Sequence, residues 1–172
     1  MPIKYVERTE NDGDKEIMRN YDDKRISFPI PDGWEVSHDK AANILYIDPS
    51  SRETWCFVQL GGLRPKPGGK SVPSARDCLA GCYESELKSG TASIVDLGGG
   101  RAVVEWQEVT TQDGREFIVY HSHLALRTDS EEVQLADFSL AVPKMMADSP
   151  KVSRLQAMVR EQAKQAKFHW VA

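Results

Sequence analysis

The strongest constraint in this sequence is a pair of long β-prone runs around one tight turn. Arg101 to Thr110 and Glu116 to Arg127 flank Gln112-Asp-Gly-Arg115. Asp-Gly favours a two-residue type I′ turn, whose backbone twist matches that of the strands it joins. Both runs carry apolar residues on both sides. Ala102, Val104 and Trp106 line one face of the first, with Val103 and Val109 on the other. In the second, Phe117 and Val119 oppose Ile118, Tyr120, Leu124 and Leu126. A sheet wetted on one side alternates apolar and polar more cleanly. The pattern predicts a central hairpin in a sheet covered on both faces.

The remaining elements arrange themselves around that hairpin. Arg25 to Phe28 is extended, and Pro29 and Pro31 place it at an edge or a strand end, because proline donates no ladder hydrogen bond. Pro31-Asp-Gly33 is a turn, and Trp34 to Ser37 resumes as a strand. Ile44 to Ile47 reads as a short buried strand and Thr54 to Leu60 as another, rich in aromatic and β-branched residues. Gly61 to Val72 is a loop. Ser74 caps a helix that runs through Leu87 and stops at Gly90. Ser93 to Leu97 and Glu132 to Val142 are further strands, the first leading into the Gly98-Gly-Gly100 turn. Ser149-Pro150 opens a last helix as N-cap and first residue. Its apolar face is Val152, Leu155, Val159, Ala163 and Ala166. Trp34, Trp55 and Trp106 are expected in the core, and Trp170 as a terminal anchor. Strands, helix, strands, helix predict an α+β domain: a twisted, mostly antiparallel sheet of about six or more strands flanked by two main helices.

With 172 residues the chain is sized for one domain. It divides into an arm over residues 1–24 and a single domain over 25–172. The arm carries an exposed loop near Asn11-Asp-Gly13 and an edge strand or helical turn near Ile17 to Tyr21. A net charge of −4, with Lys and Arg scattered among Asp and Glu, gives no basic patch for nucleic acid. No apolar run reaches membrane-spanning length. Met1 to Asp23 has no apolar secretory core, so the expected location is cytoplasmic. The three cysteines, Cys56, Cys78 and Cys82, fit a reducing compartment. Cys78 and Cys82 share a helix face, either as half of a metal site or as small buried side chains.

Chemistry-bearing patterns are few. Gly68-Gly-Lys-Ser71 sits between a strand and a helix, but a phosphate loop needs a glycine where Arg64 stands. No nucleophile elbow is present, and an apolar strand around Cys56 leaves its thiol inert. The sharpest pair is His121 and His123, which alternation places on one face of one strand. Two histidines at that spacing can share a metal, with Asp137 and Glu108 as candidate further ligands, though a closed zinc site needs four. The bland alternative is two polar residues where the strand face nears solvent or a partner. No catalytic set emerges, so the chain reads as a non-enzyme, with no cofactor.

Phe28-x-Ile-Pro-x-Gly-Trp34 resembles the first hairpin of the PsbP-like superfamily. That group includes photosystem II extrinsic proteins, Ran-binding Mog-type proteins, DcrB-type lipoproteins and the Eag chaperones of type VI secretion. Gly100-Arg-Ala-Val-Val-Glu-Trp106, the turn at Gln112-Asp-Gly-Arg115, the strand Phe117 to Leu126 and the last helix extend the resemblance over Arg25 to Phe168. It implies a PsbP-like α/β/α sandwich. Through its bacterial chaperone branch it also implies a protein-binding role: an adaptor or chaperone linked to secretion, with an effector as partner and a homodimer as one working state. The same class admits an immunity protein that neutralises a toxin. A third reading is a metal-binding protein using His121 and His123. The expected contact residues are Trp106, His121 and His123.

Overall fold

The structure is a computed structural model that describes residues 5–7, 17–129 and 131–169. The expected loop at Asn11-Asp-Gly13 and the Trp170 anchor lie outside these residues. The strands in chain order are β1 (Tyr5–Glu7), β2 (Ile17–Asp22), β3 (Ile26–Pro31), β4 (Glu35–His38), β5 (Ile44–Ile47) and β6 (Trp55–Leu63). Helices α1 (Ala75–Cys82) and α2 (Glu84–Ser89) follow, then β7 (Ala92–Gly98), β8 (Arg101–Gln112), β9 (Arg115–Arg127) and β10 (Val133–Pro143). A short 3-10 turn, α3 (Pro150–Gln165) and β11 (Lys167–Phe168) close the described chain.

The expected α+β class holds. A seven-stranded antiparallel sheet has the order β4-β5-β6-β10-β9-β8-β7, and helices cover parts of both its faces. The central hairpin forms as the Asp-Gly turn dictates. Gln112 pairs with Arg115, and Asp113 and Gly114 take φ of 51° and 74°, the two positive values a type I′ turn requires.

The first stretch is a correction. Phe28 to Val36 does not form a hairpin. β3 pairs with β2 and β11 in a second sheet of order β1-β2-β3-β11, whereas β4 pairs with β5 in the large one. The turn at Pro31-Asp-Gly33 therefore carries the chain from one sheet to the other. The two prolines of β3 are tolerated because β11 pairs only with Ile26 and Ser27, so Pro29 and Pro31 have a strand neighbour on the β2 side alone. Trp34 keeps its expected place in the core at 9% exposure.

Two apolar layers sandwich the large sheet. The inner layer joins Ile26, Phe28 and Ile30 of the small sheet to Tyr46, Cys56, Leu124, Phe138 and Leu140 of the large sheet. Val152, Leu155, Met158, Val159 and Ala163 of α3 complete it. Gln162 of α3 is buried with them. It accepts from the Tyr46 hydroxyl at 2.5 Å and donates to the Pro29 carbonyl at 2.9 Å, so one amide ties the large sheet, the helix and the small sheet together. The outer layer is smaller: Ala75, Cys78 and Leu79 of α1 sit on Ala102, Val104, Ala125 and Val133.

Several boundaries differ from expectation. β6 continues through Gly61 and Gly62 to Leu63, because pairing with Val133 to Leu135 of β10 outweighs the weak strand preference of glycine. The helix expected from Ser74 to Leu87 is two, with Tyr83 between them at φ −121° and ψ 32°. Ser74 and Ser149 cap as expected, accepting from Asp77 N–H and Val152 N–H. Two-sided burial ends at Trp106. Beyond it β8 is exposed on both sides, and Val109, expected in the core, is 55% exposed.

Candidate functional site

Strand alternation and register place one continuous row across the outer face of the large sheet. Leu45 pairs with Phe57, Phe57 with Ser139, Ser139 with His121, and His121 with Trp106. The neighbouring row is Trp55, Ala141, Val119 and Glu108 on one side, and Gln59, Asp137, His123 and Val104 on the other. The three sequence-selected residues Trp106, His121 and His123 therefore do converge on one face, together with Asp137 and Glu108.

Their surroundings differ. The Trp106 indole stacks flat on the His121 imidazole, with centroids 4.2 Å apart and planes 7° from parallel. Tyr83, at the break between α1 and α2, roofs this pair. Its ring lies 5.6 Å from Trp106 and 5.6 Å edge-on to His123, and its hydroxyl bonds His123 Nδ1. Trp106 and His123 are thus held beneath the helices, and His121 stands at the border of the covered region.

His121 is fully engaged. Its Nδ1 lies 3.1 Å from Asp137 and 3.0 Å from the buried Ser139 hydroxyl, and its Nε2 lies 3.2 Å from Glu108. Burial disfavours the charged ring, but the Asp137 and Glu108 carboxylates outweigh it and raise the pKa. His123 goes the other way. Burial lowers its pKa, Asp137 opposes that, and His121 adds to it. A neutral ring suits a Tyr83 hydroxyl that donates to Nδ1. Burial raises the Tyr83 hydroxyl pKa, and the Asp137 charge adds to the effect.

This geometry does not assemble a metal centre. Asp137 and Glu108 bond opposite ring nitrogens of His121, so their oxygens do not converge on a point that both histidines share. Among the described residues no group of three His, Cys, Asp or Glu could hold a metal ion. Cys78 is buried, with its thiol pushed up to about 11 chiefly by burial, and Cys82 is exposed one turn later. Ser139 and Asp137 share the same His121 nitrogen. A serine triad needs nucleophile and carboxylate on opposite nitrogens, so Asp137 and Ser139 do not form one, and the Ser139 hydroxyl is itself buried at 3% exposure.

Sequence reasoning missed the uncovered part of the same face. Leu45, Ile47, Trp55, Phe57 and Val119 are half-exposed and belong to neither packed layer, although Trp55 and the whole of Ile44 to Ile47 were expected in the core. The period-2 alternation in β5 is real, with Ile44 and Tyr46 fully buried on the inner face and Leu45 and Ile47 on the outer. Apolar residues on both sides disguise it. Trp55 leans on Phe117, 5.2 Å between centroids, and extends the strip toward the end of β9. The α1–α2 roof lies over β7, β8 and β9, at the other end of the face.

No family model and no curated protein matches this chain. Solved structures do. A Bacteroides thetaiotaomicron protein matches at 17% identity and a TM-score of 0.54, covering 83% of this chain and 44% of that one, so the chain spans less than half of that protein's length. LpqN of Mycobacterium tuberculosis, described as involved in cell envelope biogenesis, matches at 16% identity and a TM-score of 0.56, over 96% of this chain and 90% of that one. The Saccharomyces cerevisiae Ran-binding protein Mog1p matches at 12% identity and a TM-score of 0.49, covering 98% and 96%. At such identities the likeness is one of fold alone.

Proposed function

We propose that this chain is a non-enzymatic protein-binding module that holds an apolar segment of its partner on the outer face of the large sheet. The observation that carries this reading is the strip of Leu45, Ile47, Trp55, Phe57 and Val119, half-exposed and outside both packed layers. Contiguous apolar surface of this kind marks interaction sites in soluble proteins. Aromatic residues at the centre of such a strip supply most of the binding energy. His121 borders the strip and offers a polar limit to it, while Trp106 stacks on His121 and His123 is bonded to Tyr83 beneath the helices. Among the described residues no helix is long and apolar enough to cross a membrane.

Within that reading the partner is a protein with an exposed amphipathic or apolar segment, as an adaptor or chaperone for a secreted effector would require. The test is affinity capture from the native host with the wild type and with F57D, after circular dichroism shows the same fold for both. A partner captured by the wild type and lost with F57D supports the proposal. The same partners captured by both proteins would overturn it.

A further inference from the structure

The inner face of the large sheet is covered unevenly. α3 packs on β10, β9 and the small sheet, and a cavity of about 380 Å³ opens between α3 and the β7–β8 end. Register builds its floor. Ser93 pairs with Glu105 and Glu105 with Ser122, and one row further on Gln107 pairs with Tyr120. Alternation turns all five side chains to the inner face. Gln156 and Arg160, one turn apart on α3, form the facing wall. Trp106 and His121 also border the cavity but turn their stacked rings to the outer face.

The lining is polar, and its charges cancel. Arg160 Nε lies 3.2 Å from a Glu105 carboxylate oxygen, so the one guanidinium and the one carboxylate hold each other. Among the described residues, Ser93, Gln107, Ser122 and Gln156 have no side-chain hydrogen-bond partner. Ser122 is only 3% exposed, and a buried hydroxyl without a partner is costly. A polar molecule entering the cavity supplies the missing bond.

We propose that this cavity binds a small neutral saccharide. Each sugar hydroxyl both donates and accepts, as do the amides and hydroxyls of the lining. The Glu105–Arg160 pair presents a fixed acceptor beside a fixed donor, which suits two adjacent hydroxyls and needs no reordering. The half-exposed Tyr120 ring gives the C–H face of a sugar an apolar partner. Other ligands fit less well. An anion or a cation has to break the ion pair to reach its counter-charge. An apolar ligand strips water from the unpartnered amides and returns no hydrogen bond. The volume is at the low end of ligand cavities, which run from about 300 to 1,000 Å³, and so suits a small ligand better than a polymer segment. The inference concerns the inner face and does not rest on the outer-strip reading.

Saturation-transfer NMR on the full chain tests it. The probes are glucose, galactose and N-acetylglucosamine, each set against its charged counterpart: glucuronate, galacturonate and glucosamine. Saturation passes to at least one neutral sugar, and that sugar binds more tightly than its counterpart. Q107A and Q156A, on different elements and away from the core, each weaken binding about fivefold, as the loss of one hydrogen bond implies. If one variant loses the wild-type circular dichroism, the other decides. No transfer to any of the three neutral sugars would overturn the proposal. So would binding that the folded variants leave unchanged, or a charged counterpart that binds as tightly as its neutral sugar.

Discussion

The indole of Trp106 lies parallel to the imidazole of His121, 4.2 Å between ring centroids, on the outer face of the large sheet. That contact fixes the ring of the one histidine flanked by two carboxylates and so sets the first expectation. The His121 pKa is raised because Asp137 and Glu108 outweigh the cost of burial. A raised value means stability fully present below the unfolded value of about 6.5, and lost as pH rises through the folded value. The stability advantage of the wild type over H121Q, from denaturant titrations, is therefore larger at acid pH than at alkaline pH. His123 has a lowered value, so its contribution has the opposite sign: it is complete above about 6.5 and falls away toward acid. An advantage over H121Q that stays flat with pH, or grows toward alkaline pH, would contradict this account of the cluster.

Gln162 sets the second. Its amide joins Tyr46 and Pro29 across three layers of the core. Q162L strands a buried hydroxyl and a part-buried carbonyl, and costs about 2–6 kcal/mol at about 1–3 kcal/mol for each orphaned group. Y46F strands fewer and costs about 1–2 kcal/mol. The double variant Y46F/Q162L costs less than the sum of the two, since the hydroxyl is then no longer there to be stranded. Urea denaturation of the three variants measures the coupling, and strict additivity would remove Gln162 from its bridging role.

The third concerns the turn between β7 and β8. Gly98, Gly99 and Gly100 all have positive φ, so an alanine costs about 1–2 kcal/mol at each. At Gly100 a Cβ would also lie 3.0 Å from the Arg127 carbonyl oxygen, whereas at Gly99 it meets open space. G100A is therefore more destabilising than G99A in thermal denaturation. Equal melting temperatures would show that the turn relaxes away from Arg127.

Much of this fold was legible in the residues themselves. Asp113-Gly114 specified its turn type, Ser74 and Ser149 announced their helices, and the α3 stripe named its buried face. What was not legible has a common cause. Local patterns say that a residue is apolar and extended, but not what lies across from it. Phe28-x-Ile-Pro-x-Gly-Trp34 carries strong turn chemistry, yet the turn leads between two sheets, because β3 finds its partners in β2 and in the distant β11. Trp55 and Leu45 look like core for the same reason: their strands are buried on one face, and the exposure of the other depends on where α1 and α2 settle. For the candidate site, the spacing of His121 and His123 put both on one face of β9, as the structure has them. The Tyr83 roof, 40 residues away in sequence, could not be read from that spacing.

A fourth expectation separates core from surface among the aromatic residues. F138A removes a ring with 0% exposure from the inner layer and costs about 3–5 kcal/mol. F57S changes a half-exposed ring on the outer strip and costs about 1 kcal/mol or less. Urea midpoints compare the two directly, and a loss for F57S as large as that for F138A would mean that the strip is packed core.

The central claim is that the outer strip is where a partner sits. The most direct measurement is a photo-crosslinking amino acid placed at Phe57, and separately at Met145, which is 88% exposed and outside the strip. Irradiation in the native host, followed by gel analysis of the tagged chain, reads the contacts. The account predicts a discrete protein adduct from position 57 that position 145 does not give. No adduct at 57, or the same adduct from both positions, would contradict it.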